Sequence, residues 1–132
     1  MELAILLVIL ACLAALVVRL VLAMVKRRHD PVEYYTSWGG YRHPIGLQNR
    51  IYKEDADALA AQGAVWLAAH YSDDNKLMRV VKYFRGEVFF EYVYAYHPNG
   101  RLKSATVTRG GRVTVLEYDP RGRRISEASI AF

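Results

Sequence analysis

The sequence predicts an α+β protein with a single N-terminal transmembrane helix, followed by a small domain built on an antiparallel β-meander. Three observations predict this fold class. Residues 3–25 form an almost unbroken apolar run, residues 53–62 carry the signals of one short helix, and turn motifs divide the chain from Ala64 onward into about six strands. Residues 29–132 suffice for one small domain and not for two.

The first element is the apolar run. Its 23 residues make a helix of about 34 Å, long enough to cross the hydrocarbon core of a bilayer. Lys26, Arg27 and Arg28 follow at once, and residues 1–28 are taken as the helix with its basic flank. Cations beside a span favour the cytoplasmic side, where they face anionic lipid headgroups. We expect a bacterial inner-membrane protein with its N-terminus outside and its C-terminal domain in the cytoplasm.

Two other interpretations of this run stay open. A cleaved secretory signal needs a cationic n-region and an apolar stretch of about 7–15 residues, whereas Met1-Glu2 has no side-chain cation and the run is longer. The segment Ile9–Cys12 loosely resembles a lipoprotein box, but the apolar residues continue to Val25. A retained helix is therefore the preferred interpretation.

One helical stripe carries small side chains together with the arginine inside the span. Small residues let a second helix approach closely, and an arginine on their stripe can face a partner's carboxylate or carbonyl groups. Snorkelling of Arg19 to the nearby interface is the competing explanation. The predicted contacts for a partner helix are Ala4, Val8, Ala11, Ala15, Arg19 and Ala23.

The second segment, residues 29–52, is rich in aromatic residues. Strands at Val32–Trp38 and Tyr41–Leu47 are expected to pair as a hairpin across Gly39-Gly40, because glycine supplies the positive φ of a tight turn. Placement at the lipid headgroups, docking of another protein and plain packing all stay open as roles for its aromatic side chains. These residues are Tyr34, Tyr35, Trp38 and Tyr41.

The third segment, residues 53–132, begins with the short helix. Acidic residues crowd the first turn of residues 53–62, where they complement the helix dipole, and Gly63 supplies a C-terminal stop. We expect this helix to pack on the sheet.

Three turn motifs then repeat. Each places a tyrosine at a strand end, then turn-forming residues, then Gly or Asn where left-handed geometry is needed, then a cation. The motifs begin at Tyr71, Tyr96 and Tyr118, with Asn75, Gly100 and Gly122 at the left-handed position. They predict strands at 64–71, 76–85, 87–97, 101–109, 112–119 and 123–131. In the third of these, alternation predicts Val88, Phe90, Tyr92, Tyr94 and Tyr96 on one face.

These hairpins resemble the Tyr-x-x-x-Gly-Arg/Lys hairpins of YD-type (Rhs) and MORN-like repeats, over residues 71–130. MORN-like repeats also occur in bacterial antitoxin-like proteins, so the resemblance implies an interaction module and brings no catalytic residues. The layout from Tyr34 onward is similar to a small bacterial family of unknown function. That similarity implies a bacterial source and one compact domain.

Candidate catalytic chemistry is sparse. The four histidines, His29, His43, His70 and His97, lack the spacing of a helical metal site, and Cys12 lies in the span. Acidic residues such as Asp73 and Asp74 fall in turns, where solvated carboxylates are ordinary. The chain has no phosphate loop, nucleophile elbow or HExxH motif. We therefore expect no enzyme activity, no cofactor, no metal and no small-molecule substrate.

The net charge of +5 is concentrated in the basic flank and the last hairpins. A basic patch is predicted at Arg101, Lys103, Arg121, Arg123 and Arg124, with Arg109 and Arg112 as further candidates. A plainly solvated face is the first interpretation of this patch, and among binding roles anionic lipid or a protein partner fits it better than nucleic acid. The expected function is that of an accessory or assembly subunit that binds integral membrane subunits. A membrane-tethered antitoxin or immunity-like module is the alternative.

Overall fold

The structure, a computed structural model, describes residues 2–28, 32–40 and 42–132. The chain forms two compact units, one of which holds the long N-terminal helix and the other the sheet domain. Helix α1 spans Glu2–Arg28, and every side chain from 2 to 21 is exposed. By length and composition it can cross a membrane, as the sequence predicts.

The sheet domain contains eight antiparallel strands and one short helix. In chain order the elements are β1 (Val32–Gly39), β2 (Gly46–Ile51), α2 (Lys53–Ala61), β3 (Trp66–Tyr71), β4 (Leu77–Phe84), β5 (Glu87–Tyr96), β6 (Leu102–Arg109), β7 (Arg112–Tyr118) and β8 (Arg124–Ala131). The strand order across the sheet is β2-β1-β3-β4-β5-β6-β7-β8, so β3 to β8 form an uninterrupted meander.

All six predicted meander strands are confirmed, with ends within two residues of the predicted ones. The expected count of six for the sheet is wrong, because β1 pairs with β3 and thereby adds the N-terminal hairpin to the same sheet. Helix α2 agrees closely with the predicted 53–62, and Gly63 after it has φ +67°. The N–H of Tyr52 donates to the Asp55 carboxylate at 3.2 Å, which helps to fix the helix start.

The N-terminal hairpin differs from the prediction. Its second strand begins at Gly46 rather than at Tyr41, which lies outside the described residues. The chain does not turn back directly after Gly39, because the connection continues over the sheet. Ile45, in that connection, is buried, and its N–H donates to the Tyr94 hydroxyl at 3.0 Å.

The three hairpin turns share one geometry. In each, the N–H of the residue after the tyrosine donates to a carbonyl four residues later, and the residue before the cation is left-handed. The bonds are Ser72 to Lys76 (2.9 Å), His97 to Arg101 (2.8 Å) and Asp119 to Arg123 (2.8 Å), with φ of 63° at Asn75, 87° at Gly100 and 90° at Gly122. The expected role of Asn75 as a substitute for glycine is thus confirmed.

One face of the sheet, here called the tyrosine face, holds the core. Strand β5 contributes Phe90 and Tyr94, each 1% exposed. The alternation predicted for β5 is wrong at Val88. Lys82 lies opposite Phe90 while Tyr83 lies opposite Val88, so Phe89 is an extra residue in β5. Such a β-bulge shifts the alternation by one residue, and Val88 is exposed.

Candidate functional site

The predicted partner-helix stripe lies within one continuous helix. From Ala4 to Arg19 its side chains are exposed. Ala23 belongs to the same helix, as do Lys26, Arg27 and Arg28, but the structure does not describe the side chains of these four. The docking role of the stripe stays a prediction.

The predicted interface aromatics are partly buried within the sheet domain. The ring centroid of Tyr34 lies 6.1 Å from that of Trp66, and the Tyr35 hydroxyl donates to the Glu33 carboxylate at 2.6 Å. Burial and that hydrogen bond raise the pKa of Tyr35. Trp38 packs on the core, with 5.4 Å between its ring centroid and that of Phe90 and the two rings nearly perpendicular. Tyr41 lies outside the described residues, and a headgroup role for these residues stays a prediction.

The strand register separates two ends of the sheet. Val32, where the chain enters β1, lies opposite His70, next to the β3–β4 turn. The turns at 72–76, 97–101 and 119–123 all lie at this end of the meander, which we call the turn end. The opposite end, which we call the far end, holds the β4–β5 and β6–β7 turns. Phe132 also lies there, and its N–H donates to the Gly111 carbonyl.

The five residues of the predicted basic patch all lie at the turn end. They are Arg101, Lys103, Arg121, Arg123 and Arg124. The two further candidates lie elsewhere, because Arg109 and Arg112 flank the β6–β7 turn at the far end. The register therefore divides what the sequence presents as one basic region.

Carboxylates at the turn end are used largely to shape the turns. The Asp119 carboxylate accepts the N–H groups of Arg121 and Arg123, both at 2.9 Å. The N–H bond from Arg123 is the main cause that lowers the pKa of Asp119. The Ser72 hydroxyl donates to Asp74 and lowers the pKa of that carboxyl group. These acids stay ionised and hold the turn backbone.

A shallow cavity of about 410 Å³ opens between the first two turns. It is lined by Ser72, Asp74, Lys76, Met78, Tyr96, His97 and Pro98. The Lys76 ammonium lies 3.7 Å from the Asp74 carboxylate and 5.3 Å from the centroid of the Tyr96 ring. His97 Nε2 lies 2.8 Å from the Tyr118 carbonyl. Each charged group in this cavity thus has a partner within the chain.

His43, in the loop between β1 and β2, contacts the core residue Tyr94. Its Nδ1 lies 3.0 Å from the Tyr94 hydroxyl, which also accepts the N–H of Ile45. Burial lowers the pKa of His43 and raises the pKa of Tyr94. The Tyr94 hydroxyl therefore keeps its proton, and this proton can be donated to the neutral imidazole. Protonation of His43 Nδ1 would remove that acceptor.

Acidification is therefore expected to destabilise the sheet domain. The folded state binds a proton at His43 less tightly than the unfolded chain does, so the free energy of unfolding falls as the pH falls below about 6.5. Urea unfolding at pH 7.5 and 5.0 measures this loss. The variant His43→Gln should lose less stability than the wild type. An equal loss in both proteins would contradict the role of His43 and leave His70, whose pKa burial and Arg79 also lower, as the candidate.

Sequence reasoning missed the environment of Lys82. This side chain is 9% exposed, and its ammonium lies 4.0 Å from the Trp38 ring centroid and 4.3 Å from that of Phe89. Burial is the main cause that lowers the pKa of Lys82, and Arg109 lowers it further. Sequence periodicity could not indicate this environment, because it depends on the β-bulge at Phe89 and on the packing of Trp38 against Lys82 and Phe90.

The far end also exposes apolar side chains beside its cations. These are Phe84, Val88, Phe89, Ile130 and Phe132. Within the described part of the chain, no three His, Cys, Asp or Glu side chains lie close enough to hold a metal ion. His29 falls outside that part.

Comparison with known proteins gives one result. Residues 27–127, more than half of the chain, match a family of unknown function (DUF6156). The resemblance of the hairpins to YD-type and MORN-like repeats stays a prediction. No curated protein and no solved structure matches the chain.

Proposed function

Because the chain belongs to the DUF6156 family, whose function is unknown, we propose a role from its own geometry. The protein is a single-pass accessory or assembly subunit of a larger complex in the bacterial inner membrane. It binds other integral membrane subunits and catalyses no reaction. Its N-terminus lies outside, and its sheet domain lies in the cytoplasm.

The exposed helix α1 carries this proposal. Large apolar side chains stay exposed over residues 2–21, and such a surface is covered by lipid or by another protein. The small residues on one stripe allow close helix approach, and Arg19 on that stripe is costly in lipid unless it snorkels or meets a polar partner. A second helix at the stripe satisfies both features.

The turn end supports the orientation. Only three residues separate Arg28 from Val32, and Val32 lies at the end of the sheet that holds the five basic patch residues. Val32 thus follows the basic flank of α1 closely in the chain. Cations close to an anionic leaflet contribute roughly 1 kcal/mol each. Anionic headgroups are thus the second partner, and nucleic acid is not required.

Purification of the tagged full chain in mild detergent tests the docking role. We expect larger membrane subunits to co-purify in stoichiometric amounts. Ala15→Leu should reduce their recovery by about tenfold, because a loss of roughly 1.4 kcal/mol in helix packing changes an equilibrium by that factor. Ala14→Leu is the matched control, since residue 14 lies about 100° from residue 15 around the helix. Recovery of a lone monomer, or equal losses in both variants, would contradict the proposal.

A second candidate function is a membrane-tethered antitoxin or immunity-like module. The shared geometry of the three hairpin turns favours it, since it agrees with the resemblance to MORN-like hairpins. This function predicts that deletion of the gene is toxic only when an adjacent gene is intact. If the protein is an accessory subunit, deletion of its gene should cause loss of the complex whether or not the adjacent gene is intact.

A further inference from the structure

Three cations of the far end lie in one row across the tyrosine face. Lys82 lies opposite Phe90, Phe90 lies opposite Arg109, and Arg109 lies opposite Arg112. Residues directly opposite in neighbouring antiparallel strands have side chains on the same face. With neighbouring strands about 4.8 Å apart, the row spans about 14 Å. We call Lys82, Arg109 and Arg112 the cationic row.

Lys82 is the buried member of this row. Its side chain is more than nine-tenths buried between the rings of Trp38 and Phe89, and the Arg109 guanidinium lies 5.3 Å from the centroid of the same Phe89 ring. Two cations therefore share one aromatic ring. Cation–π contacts offset part of the cost of burying Lys82, but they leave its positive charge unneutralised.

No carboxylate of the described sheet domain pairs with the row. The ion pairs found there involve other cations, namely Arg50, Lys76, Arg79 and Arg124. Arg109 and Arg112 lie directly opposite each other, an arrangement in which like charges destabilise a sheet. An anion bound between them removes this repulsion.

Hydroxyl groups complete the surroundings. The Arg112 guanidinium donates to the Ser129 hydroxyl at 3.1 Å, and the Thr114 and Ser129 hydroxyls lie 3.0 Å apart. Arginine forks, a lysine point charge and hydroxyl donors are the groups with which proteins bind phosphate. Three positive charges match a polyanionic phosphate better than they match a single carboxylate.

We propose that the cationic row is a binding site for phosphate-type oxyanions. A soluble phosphate compound is the expected source, because strands of about 25 Å separate the far end from the turn end where the chain enters the sheet. Lipid phosphate has the same chemistry and is the other source. This site does not depend on the docking role of α1.

Thermal unfolding of the full chain in phosphatidylcholine nanodiscs tests the site. Pyrophosphate at about ten times its dissociation constant should raise the Tm by about 5–10 °C relative to NaCl of equal ionic strength. The double variant Arg109→Gln/Arg112→Gln should lose this shift. Both of these arginines are exposed, so the variant should fold. General stabilisation by phosphate salts would act equally on both proteins.

The matched control carries the same change of charge away from both the cationic row and the basic patch. Lys53→Gln/Arg79→Gln should keep the full shift, because Lys53 begins α2 and Arg79 lies on the other face of the sheet. In a Trp66→Phe background, Trp38 is the remaining tryptophan, and its emission should change with pyrophosphate because it contacts Lys82.

A second arm identifies the source. In this arm, vesicles containing phosphatidylglycerol replace pyrophosphate. If the Tm rises only with these vesicles, and only while Arg109 and Arg112 are present, lipid is the source of the phosphate. Equal shifts in the wild type and in Arg109→Gln/Arg112→Gln, or no shift in either arm, would overturn the proposal.

Discussion

Replacing Phe90 by alanine is expected to lower the free energy of unfolding by about 3–5 kcal/mol, the usual cost of removing a buried aromatic ring. Phe90 is 1% exposed, and its ring stacks on Tyr92 with 4.4 Å between centroids. The Trp38 ring also packs against it, with 5.4 Å between centroids and an interplanar angle of 82°. The cavity left by the variant cannot easily close, because the β1–β2 connection is held to β5 by Tyr94.

Urea unfolding of the detergent-solubilised full chain, followed by circular dichroism in the β-sheet region, measures this effect. Phe84→Ala is the matched control, because Phe84 lies in the neighbouring strand β4 but is 37% exposed. Its cost should stay below about 1 kcal/mol, in line with surface substitutions. Similar losses in the two variants would show that the sheet face at Phe90 is not the core.

The meander was predictable because its signals are local. The turn positions held by Asn75, Gly100 and Gly122 require a left-handed backbone, and a few neighbouring residues are enough to indicate such a turn. The path of the β1–β2 connection was not predictable in this way. Gly39-Gly40 allows a tight hairpin turn, but burial of Ile45 against β5 favours a longer connection. A tertiary contact therefore overrides the local turn preference.

The candidate sites likewise divide into one that local sequence signals indicate and one that depends on tertiary contacts. Placement of the basic patch residues at one end of the sheet followed from their positions next to predicted turns. The cationic row did not follow, since Lys82 and Arg109 become neighbours only through the pairing of β4, β5 and β6. The bulge at Phe89 then places one aromatic ring against both cations. Periodicity alone assigns Phe89 to the other face.

Two arginines in the centre of α1 are expected to abolish membrane insertion. In Leu10→Arg/Leu13→Arg each arginine adds about 2.5–3.5 kcal/mol on insertion scales, and each lost leucine removes about 0.5 kcal/mol of favourable transfer. The total penalty of about 6–8 kcal/mol exceeds what snorkelling relieves, because both positions are further than Arg19 from the basic flank at Lys26. The variant should leave carbonate-washed membranes and appear in the soluble or degraded fraction.

The control Leu10→Ile/Leu13→Ile keeps the apolar character of the helix and should stay in the washed membranes. Intact-mass measurement of the wild type distinguishes an anchor from a removed signal, because an anchored chain keeps residues 2–25. A mature wild-type chain that starts beyond Val25, or a double-arginine variant that resists carbonate, would contradict the anchor. In that case the exposed apolar surface of α1 would no longer support docking in a membrane complex. The cationic row would still be testable, since its residues all belong to the sheet domain.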